Sequence, residues 1–243
     1  MVAVVVKSGN GRAVRFRFVE SLCLCHVGKK ATARRVKKAL KPFGDGYILS
    51  EDFDPSFRPC FSELSSRSLR ESLLFNLLLK AASVGSFGKV GVVCTDTLTP
   101  VRVAELMRFV SELLLISEPL NDEFLCDCIS RYGACPDTGS INELYTCDAV
   151  LSVDGLPHFD GLLFGFGGVS VCGDGLLQGE ALNIASKFNV DLLKLFCLLS
   201  AEKGDETVGL CPLVVSVKGE KMSCRAFLDS LRKDFVVNSF GLV

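Results

Sequence analysis

The chain has 243 residues, of which 49% are hydrophobic and 23% are charged, and its formal net charge is −1. This composition excludes an intrinsically disordered chain, and the length allows one large domain or two small ones. The charge is unevenly distributed, because residues 1–50 hold eleven Lys and Arg residues against two acidic ones. The asymmetry predicts a separate basic unit at the start of the chain.

The cysteines and the apolar runs bear on the cellular compartment. A chain of this length with a large core does not need a disulfide framework, so the 12 cysteines are expected to be reduced and mostly packed in the core. Val2–Val6 is too short for a secretory leader, and Leu69–Val84 is too short and too often interrupted by charge to cross a bilayer. We therefore expect a cytoplasmic protein with no membrane partner.

Residues 1–50 predict a small basic α/β unit that begins with a β-hairpin. Asn10-Gly11 is the strongest short signal for a hairpin turn, because both residues tolerate positive φ. In the second strand Arg15 and Arg17 alternate with apolar residues, which predicts one exposed and one buried face. The strands are expected at Val2–Lys7, Val14–Phe18, Leu22–Cys25 and Tyr47–Leu49, with Val14, Phe16 and Phe18 on the buried face.

A basic helix is predicted in the same unit, from Lys29 to Lys41, and it ends at Pro42. It carries seven Lys and Arg residues and no acidic residue, and its narrow apolar side consists of Ala33, Val36, Ala39 and Leu40. Such a helix could meet phosphates of a nucleic acid or a protein partner. The sequence shows no aromatic stacking platform beside it, so nucleic-acid binding is kept as an alternative and is not the expected function.

Residues 51–65, which include Pro55 and Pro59, predict a linker. A helix follows from Ser68 through Ala82, where Ser68 and Glu71 have the spacing of a capping box. Its residues are apolar on nearly every side, which is typical of a helix buried within a domain.

Strands and helices alternate from Lys89 to Gly155, which predicts a parallel sheet covered by helices. Thr99 is a suitable N-cap for a helix that starts at Pro100, and Ser140 with Glu143 forms a second capping-box pattern. The strands are expected at Val90–Cys94, Leu113–Ile116 and Asp148–Ser152, as parallel neighbours, with a further helix from Asn121 to Gly133.

Beyond Gly155 the chain is rich in glycine and continues the α/β pattern. Strands are expected at Leu162–Phe164, Val169–Cys172, Leu213–Val217 and Phe235–Val237, and helices at Gln178–Phe188, Asp191–Leu199 and after Ser223. The sequence thus predicts an α/β protein: a Rossmann-like three-layer domain with a mostly parallel sheet over residues 66–243, preceded by the small basic unit of residues 1–50.

The stretch from Lys89 to Gly155 resembles the first half of a Rossmann-type NAD(P)-binding domain. The first strand leads directly into a helix, Glu118 ends the second strand where that family places its ribose-binding carboxylate, and residues 147–152 are similar to a later strand of such domains. The resemblance covers about a quarter of the chain. It implies a nucleotide-binding-like scaffold with a ligand crevice at the carboxyl ends of the strands.

The family's glycine-rich phosphate turn is missing. Residues 94–100 contain no glycine, Asp96 would place a negative charge near a bound diphosphate, and Pro100 removes one N–H from the helix end. We therefore predict a degenerate dinucleotide site, no cofactor, and a small-ligand-binding or regulatory interaction protein. An NAD(P)-dependent oxidoreductase with a non-standard cofactor loop is the alternative, and the sequence does not decide whether the protein is an enzyme.

The predicted ligand crevice lies beyond the parallel strands. Its acidic side chains would favour a cation, an amine or a hydroxyl-rich ligand over a polyphosphate. His158 is the candidate for a catalytic role, because it follows a strand end and lies among carboxylates in the sequence. The crevice is expected to be lined by Thr95, Asp96, Thr97, Glu118, Ser152 and Asp154.

Two further patterns carry weaker signals. The run Gly165-Phe166-Gly167-Gly168 could cradle a phosphate, but a turn between two strands is favoured because no helix with a following Lys-Ser/Thr comes directly after it. No metal site is predicted. The pairs Cys23/Cys25 and Cys126/Cys128 lack the two- to four-residue spacing of zinc ligands, although His26 follows the first pair.

Overall fold

The computed structural model describes residues 1–19, 22–53, 57–61, 67–93, 97–116, 122–173, 176–177, 179–203 and 212–240. The strands are β1 (Val2–Lys7), β2 (Val14–Val19), β3 (Leu22–Val27), β4 (Tyr47–Leu49), β5 (Lys89–Val93), β6 (Glu112–Ile116), β7 (Asp137–Thr138), β8 (Ala149–Ser152), β9 (Leu162–Gly165), β10 (Val169–Val171), β11 (Val214–Val217) and β12 (Glu220–Ser223). The α-helices are α1 (Ala33–Leu40), α2 (Arg67–Val84), α3 (Pro100–Met107), α4 (Asp122–Tyr132), α5 (Gly179–Lys187), α6 (Leu192–Lys203) and α7 (Cys224–Phe240). Short 3₁₀ helices lie at Lys41–Phe43, Arg58–Cys60 and Ile141–Thr146.

The chain forms two compact units. The first consists of residues 1–66 and 173–207, and the second of residues 67–172 and 208–243. The predicted division at residues 51–65 therefore needs a correction, since residues 173–207 were assigned to the Rossmann-like domain. They belong to the first unit because apolar side chains of α5 and α6, among them Ile184 and Leu195, pack against Val2, Val4 and Leu24 of its sheet.

The sheet of the first unit has the order β2-β3-β1-β4. The predicted hairpin between β1 and β2 is wrong: β2 pairs with β3 in antiparallel orientation, and β3 pairs with β1 in parallel. The physical reason is composition. Except for His26, β3 is apolar throughout and suits a central position, whereas the alternating arginines of β2 suit an edge.

Strand β2 also lacks the buried face that its alternation predicted. Phe16 is 41% exposed and Phe18 is 64% exposed, because the buried cluster beneath α1 lies over β3, β1 and β4 and does not include these two rings. The remaining strands of this sheet are covered on both faces by apolar side chains of the first unit. Helix α1 starts at Ala33, later than predicted, and buries Val36 and Leu40 in a cluster with Cys23 and Cys25.

The sheet of the second unit has the order β12-β11-β10-β9-β8-β5-β6-β7. Strands β5, β6 and β8 are parallel neighbours, as predicted. Across the sheet from β7 to β10 the strand order is β7-β6-β5-β8-β9-β10, which is the 3-2-1-4-5-6 order of doubly wound folds. Strands β11 and β12 extend this sheet in antiparallel orientation. The chain therefore has a mixed α/β, Rossmann-like fold with a mostly parallel sheet.

Helices cover one face of this sheet. Helix α2 packs against α3, α7 and strands β8 to β10, and its leucines share a core with Val90, Val92 and Phe164. The opposite face carries the 3₁₀ helix Ile141–Thr146, whose Leu144 is fully buried against Leu114 and Val150. Gly91 of β5 lets Leu144 pack directly on that face, because a Cβ there would lie 2.4 Å from Leu144 Cδ2.

Some of the helix caps predicted from the sequence are present in the structure, and one is wrong. Thr99 is the N-cap of α3 and Pro100 its first residue, and Ser140 with Glu143 forms a capping box, as predicted. Ser223 Oγ accepts from Ala226 N at the start of α7. The capping box at residues 68–71 is wrong, because Ser68 lies inside α2, which begins at Arg67.

The predicted closing strand at residues 235–237 is also wrong, since these residues continue α7. Its apolar run was too short to distinguish a strand from a helical segment. Strand β12, which was not predicted, pairs with β11 instead through a turn at Lys218-Gly219, where both residues have positive φ.

No helix in the described part of the chain is both long and apolar enough to cross a membrane.

Candidate functional site

The carboxyl ends of β5, β6 and β8 meet at one edge of the parallel sheet. Of the residues predicted to line a crevice there, Thr97, Ser152 and Asp154 are described. Thr95, Asp96 and Glu118 lie outside the described residues. Ser152 is 6% exposed, and its Oγ donates to the carbonyl oxygen of Gly155 at 2.9 Å. This hydrogen bond shapes the turn that follows β8.

Asp154 and Thr97 are linked through the first turn of α2. Arg67 Nη2 donates to Asp154 Oδ2 at 2.8 Å, and Arg67 Nε donates to Glu71 Oε1 at 3.0 Å. Thr97 Oγ1 donates to the other carboxylate oxygen of Glu71 at 3.4 Å. Hydrogen bonds from the guanidinium to Asp154 and Glu71 raise the pKa of Arg67, so its charge is secure. One guanidinium thus pairs with two carboxylates at the predicted crevice, and the group of three keeps one negative charge.

The sequence analysis missed Arg67 and Glu71. Glu71 was assigned to a capping box, but its side chain is 5% exposed and lies in the ion pair with Arg67. The signal was present, because Arg and Glu four residues apart on a helix lie on the same face. What the spacing alone did not show is that Asp154, 87 residues away, completes the same group.

The amino end of α3 is occupied by its own side chains. Thr99 Oγ1 accepts from Arg102 N at 3.4 Å, and Pro100 has no N–H to offer. The guanidinium of Arg102 donates to the carbonyl oxygen of Thr97 at 3.1 Å and lies 5.3 Å from the centroid of the Phe75 ring. Burial lowers the pKa of Arg102 from its ordinary value. Two of the N-terminal positions of this helix are therefore unable to donate to a phosphate.

A cavity of about 570 Å³ lies next to Asp154 in the second unit. Its wall contains His158, Phe159 and Lys218, together with the glycine-rich turn that joins β9 to β10. His158 has a φ of 53° and is exposed, so the loop of residues 153–161 presents it in a left-handed conformation. His158 and the glycine run, which the sequence analysis treated as separate candidates, thus belong to one cavity.

The cavity exists because the connections around β9 are short. Residues 153–161 join β8 to β9 without a helix, and residues 166–168 join β9 to β10. Doubly wound folds usually place a crossover helix at such connections. Leu156 and Phe159 of the loop pack onto Leu163 in place of a helix, and Tyr145 Oη donates to the carbonyl oxygen of Pro157 at 2.8 Å. A loop layer thinner than a helix leaves space above the strands.

The described cysteines are free thiols, and no group of three or more His, Cys, Asp or Glu side chains in the described ranges could hold a metal ion. Cys23 and Cys25 are completely buried beside Val36 and Leu40. Burial, with a contribution from Cys23, raises the pKa of Cys25 to about 12. A thiol in such surroundings packs as a small apolar group.

Alkylation should separate buried from exposed thiols. Exposed Cys60, Cys126 and Cys135 are expected to react with iodoacetamide at neutral pH in the folded protein, and Cys23 and Cys25 only after unfolding.

The stability of the protein should also depend on pH through Cys25. Because the folded-state pKa of Cys25 is raised above the 9.0 of an exposed thiol, the contribution of its protonated thiol to stability is complete below pH 9 and is lost as pH rises towards 12. Mass spectrometry of the alkylated protein and urea titrations across this range would measure both effects. Rapid native labelling of Cys25 would contradict the packing described for β3.

Known proteins are similar to this chain in structure only. No protein-family model matches the chain, and no curated protein matches it. Among solved structures, L-tryptophan dehydrogenase from Nostoc punctiforme is similar at 12% identity and a TM-score of 0.31, covering 89% of this chain and 76% of that one. Shikimate dehydrogenase 1 from Peptoclostridium difficile is similar at 10% identity and a TM-score of 0.29, covering 97% of this chain and all of that one. The fold assignment therefore rests on the strand order and not on these likenesses.

Proposed function

We propose that this chain is a small-ligand-binding protein on a Rossmann-like scaffold, with its ligand in the cavity between Asp154 and the β9–β10 turn. The single observation that carries the proposal is the cavity itself. Its volume of about 570 Å³ is within the range of small-molecule sites. Its wall contains apolar side chains and a few ionisable ones, which is the usual composition of such sites.

The lining favours a small ligand with hydroxyl or amine groups. Asp154 and Asp160 offer carboxylate oxygens that accept hydrogen bonds, and His158 offers a ring nitrogen. Leu156, Phe159 and Leu163 supply apolar surface. Lys218 is the single lysine or arginine in this wall, which is little for a polyphosphate. Whether His158 also transfers a proton depends on the ligand, and a purely regulatory role uses the same cavity.

The state of α3 supports the view that the chain does not bind a dinucleotide in the usual way. That binding mode uses free N–H groups at the amino end of this helix. Here Pro100 lacks an N–H and the N–H of Arg102 is satisfied by Thr99. The dehydrogenase alternative therefore requires a different set of donors, and no described residue of the site favours it.

Ligand binding can be tested by calorimetry and by thermal unfolding with three sets of compounds: NAD, NADP and adenine nucleotides; polyols such as inositol; and amines such as putrescine. We expect no micromolar binding of the dinucleotides. A polyol or amine ligand at about one hundred times its Kd should stabilise the protein by about 2.7 kcal/mol. Micromolar NAD binding that is lost in Glu118→Ala would instead restore the dehydrogenase alternative.

Two variants locate the site of any ligand that binds. Asp154→Asn removes a carboxylate whose pair with Arg67 is exposed, at 74% for Asp154, so the stability cost should be at most about 1 kcal/mol. His158→Asn removes the ring but keeps a residue that tolerates the positive φ. Both should weaken binding by tenfold or more, about 1.4 kcal/mol. Asp229→Asn at an exposed position of α7 is the matched control. Equal affinity in all three variants would place the ligand elsewhere.

A further inference from the structure

The edge strand β2 exposes two aromatic rings side by side. Phe16 and Phe18 are two residues apart, so they lie on the same face of the strand. Their cross-strand partners are Cys25 and Cys23, whose side chains belong to the core beneath α1. The two rings are therefore on the α1 face of the sheet, beyond the part that α1 covers, and they are 41% and 64% exposed.

Helix α1 brings positive charge to the same face. Val36 and Leu40 are buried, and the remaining long side chains of the helix are exposed cations. No acidic residue lies in its first turn, and among the described residues no ion pair neutralises these cations. The cations of the helix and its C-cap are Arg34, Arg35, Lys37, Lys38 and Lys41.

The rings and the cations are adjacent. The Phe16 ring centroid lies 5.9 Å from that of Phe43, which belongs to the 3₁₀ turn directly after α1. Helix α1 also contacts β2 directly. A row of rings, Phe18, Phe16 and Phe43, thus runs from the free edge of the sheet to the carboxyl end of a basic helix.

We propose that this surface, formed by α1, Phe16, Phe18 and Phe43, binds single-stranded nucleic acid. Proteins that bind single strands combine exposed aromatic rings, on which bases stack, with cations that follow the phosphates. Each exposed ring can stack on the flat face of a base, and α1 with its C-cap residue supplies five positive charges without an acid in the first turn. The sequence showed no aromatic stacking platform beside the basic helix, and Phe16 and Phe18 were expected on a buried face; their exposure supplies the rings that such a platform needs.

The aromatic component distinguishes a single strand from other anionic partners. A duplex keeps its bases stacked on each other and offers phosphates alone, so the rings would add nothing to its binding. An acidic protein segment or an anionic membrane would likewise depend on the cations of α1. The rings are therefore the part of the surface whose removal identifies the partner.

Fluorescence anisotropy with a labelled single strand of about 12 nucleotides, as RNA and as DNA of the same sequence, tests this proposal on the full chain. Phe18→Ala should weaken single-strand binding at least fivefold, and Phe16→Ala with Phe18→Ala should weaken it further, because each ring lost removes a stacked base. Arg34→Gln with Lys38→Gln should reduce the slope of log K against log salt by about 0.7 per phosphate contact removed. A difference between RNA and DNA would show whether the 2′-hydroxyl contributes.

The matched charge control is Arg15→Gln with Arg17→Gln. These arginines alternate with the phenylalanines and lie on the opposite face of β2, so their loss should change the affinity less than the α1 pair does. Circular dichroism should show that Phe18→Ala stays folded, because the position is exposed. No detectable single-strand binding overturns the proposal. The proposal is also overturned if duplex, polyglutamate or anionic vesicles bind as tightly as the single strand and this binding is unchanged when both phenylalanines are replaced.

Discussion

Gly165→Ala is expected to destabilise the second unit more than any other glycine substitution on its sheet. Gly165 is the last residue of β9 and pairs with Ser152 of β8. Its φ is 151°, and a Cβ would lie 1.7 Å from the carbonyl oxygen of Ser152. Because the clash is with backbone, no side-chain rotation relieves it. The two central strands would have to separate at this end.

We expect a loss of more than about 4 kcal/mol in the free energy of unfolding, which is a fall in Tm of roughly 8–16 °C for a chain of this size. Urea titration or differential scanning calorimetry would measure the loss. Gly167→Ala is the matched control, since its φ is 85° but nothing lies within 4 Å of a Cβ. It should cost about 1 kcal/mol, the strain of a left-handed residue alone. Similar losses in the two variants would contradict the pairing of β8 with β9.

Phe164→Ala is expected to have the second-largest effect. The ring is fully buried beneath α2 and α7 in the main core of the second unit. It lies 6.2 Å from the ring of Phe227 in an edge-to-face arrangement, which holds α7 against the sheet. Removing a buried phenylalanine costs about 3–5 kcal/mol through lost burial and the cavity left behind.

The same strand end provides the control for this prediction. Phe166 is two residues further along and 78% exposed, so Phe166→Ala should change the free energy of unfolding by about 0.5 kcal/mol or less. Chemical denaturation of both variants, followed by circular dichroism, compares them directly. If Phe166→Ala were the more damaging change, the burial described for Phe164 would be incorrect.

Periodicity and capping signals were sufficient to predict the parallel core of the second unit. The β-branched run at Val90, the leucines at residues 113–115 and the run at Ala149 each formed a strand at nearly the predicted bounds. Thr99 and Pro100 placed the start of α3 correctly. These signals are local, because a strand or a helix end depends mainly on residues within one turn of it.

Strand partners and edge positions were harder to predict. The Asn10-Gly11 signal indicated a turn but not which strand β2 would pair with, and the alternation of Arg15 and Phe16 is equally compatible with an edge that is exposed on both faces. Pairing is decided by which strand buries more apolar surface at the centre of the sheet, and β3 does so. The outcome changed the interpretation of Phe16 and Phe18 from core residues to surface rings.

The sequence by itself determined the α/β class, most of the strands and helices, the basic character of the first 50 residues and the absence of a glycine-rich phosphate turn. These properties follow from composition and from contacts between near neighbours. Only the tertiary structure decided that residues 173–207 pack with the first unit, that Arg67 joins Asp154 to Glu71, and that His158 shares a cavity with the glycine-rich turn. Each of these depends on pairs of residues far apart in the chain, and their association is set by the burial of whole helix and sheet faces, which no local pattern specifies.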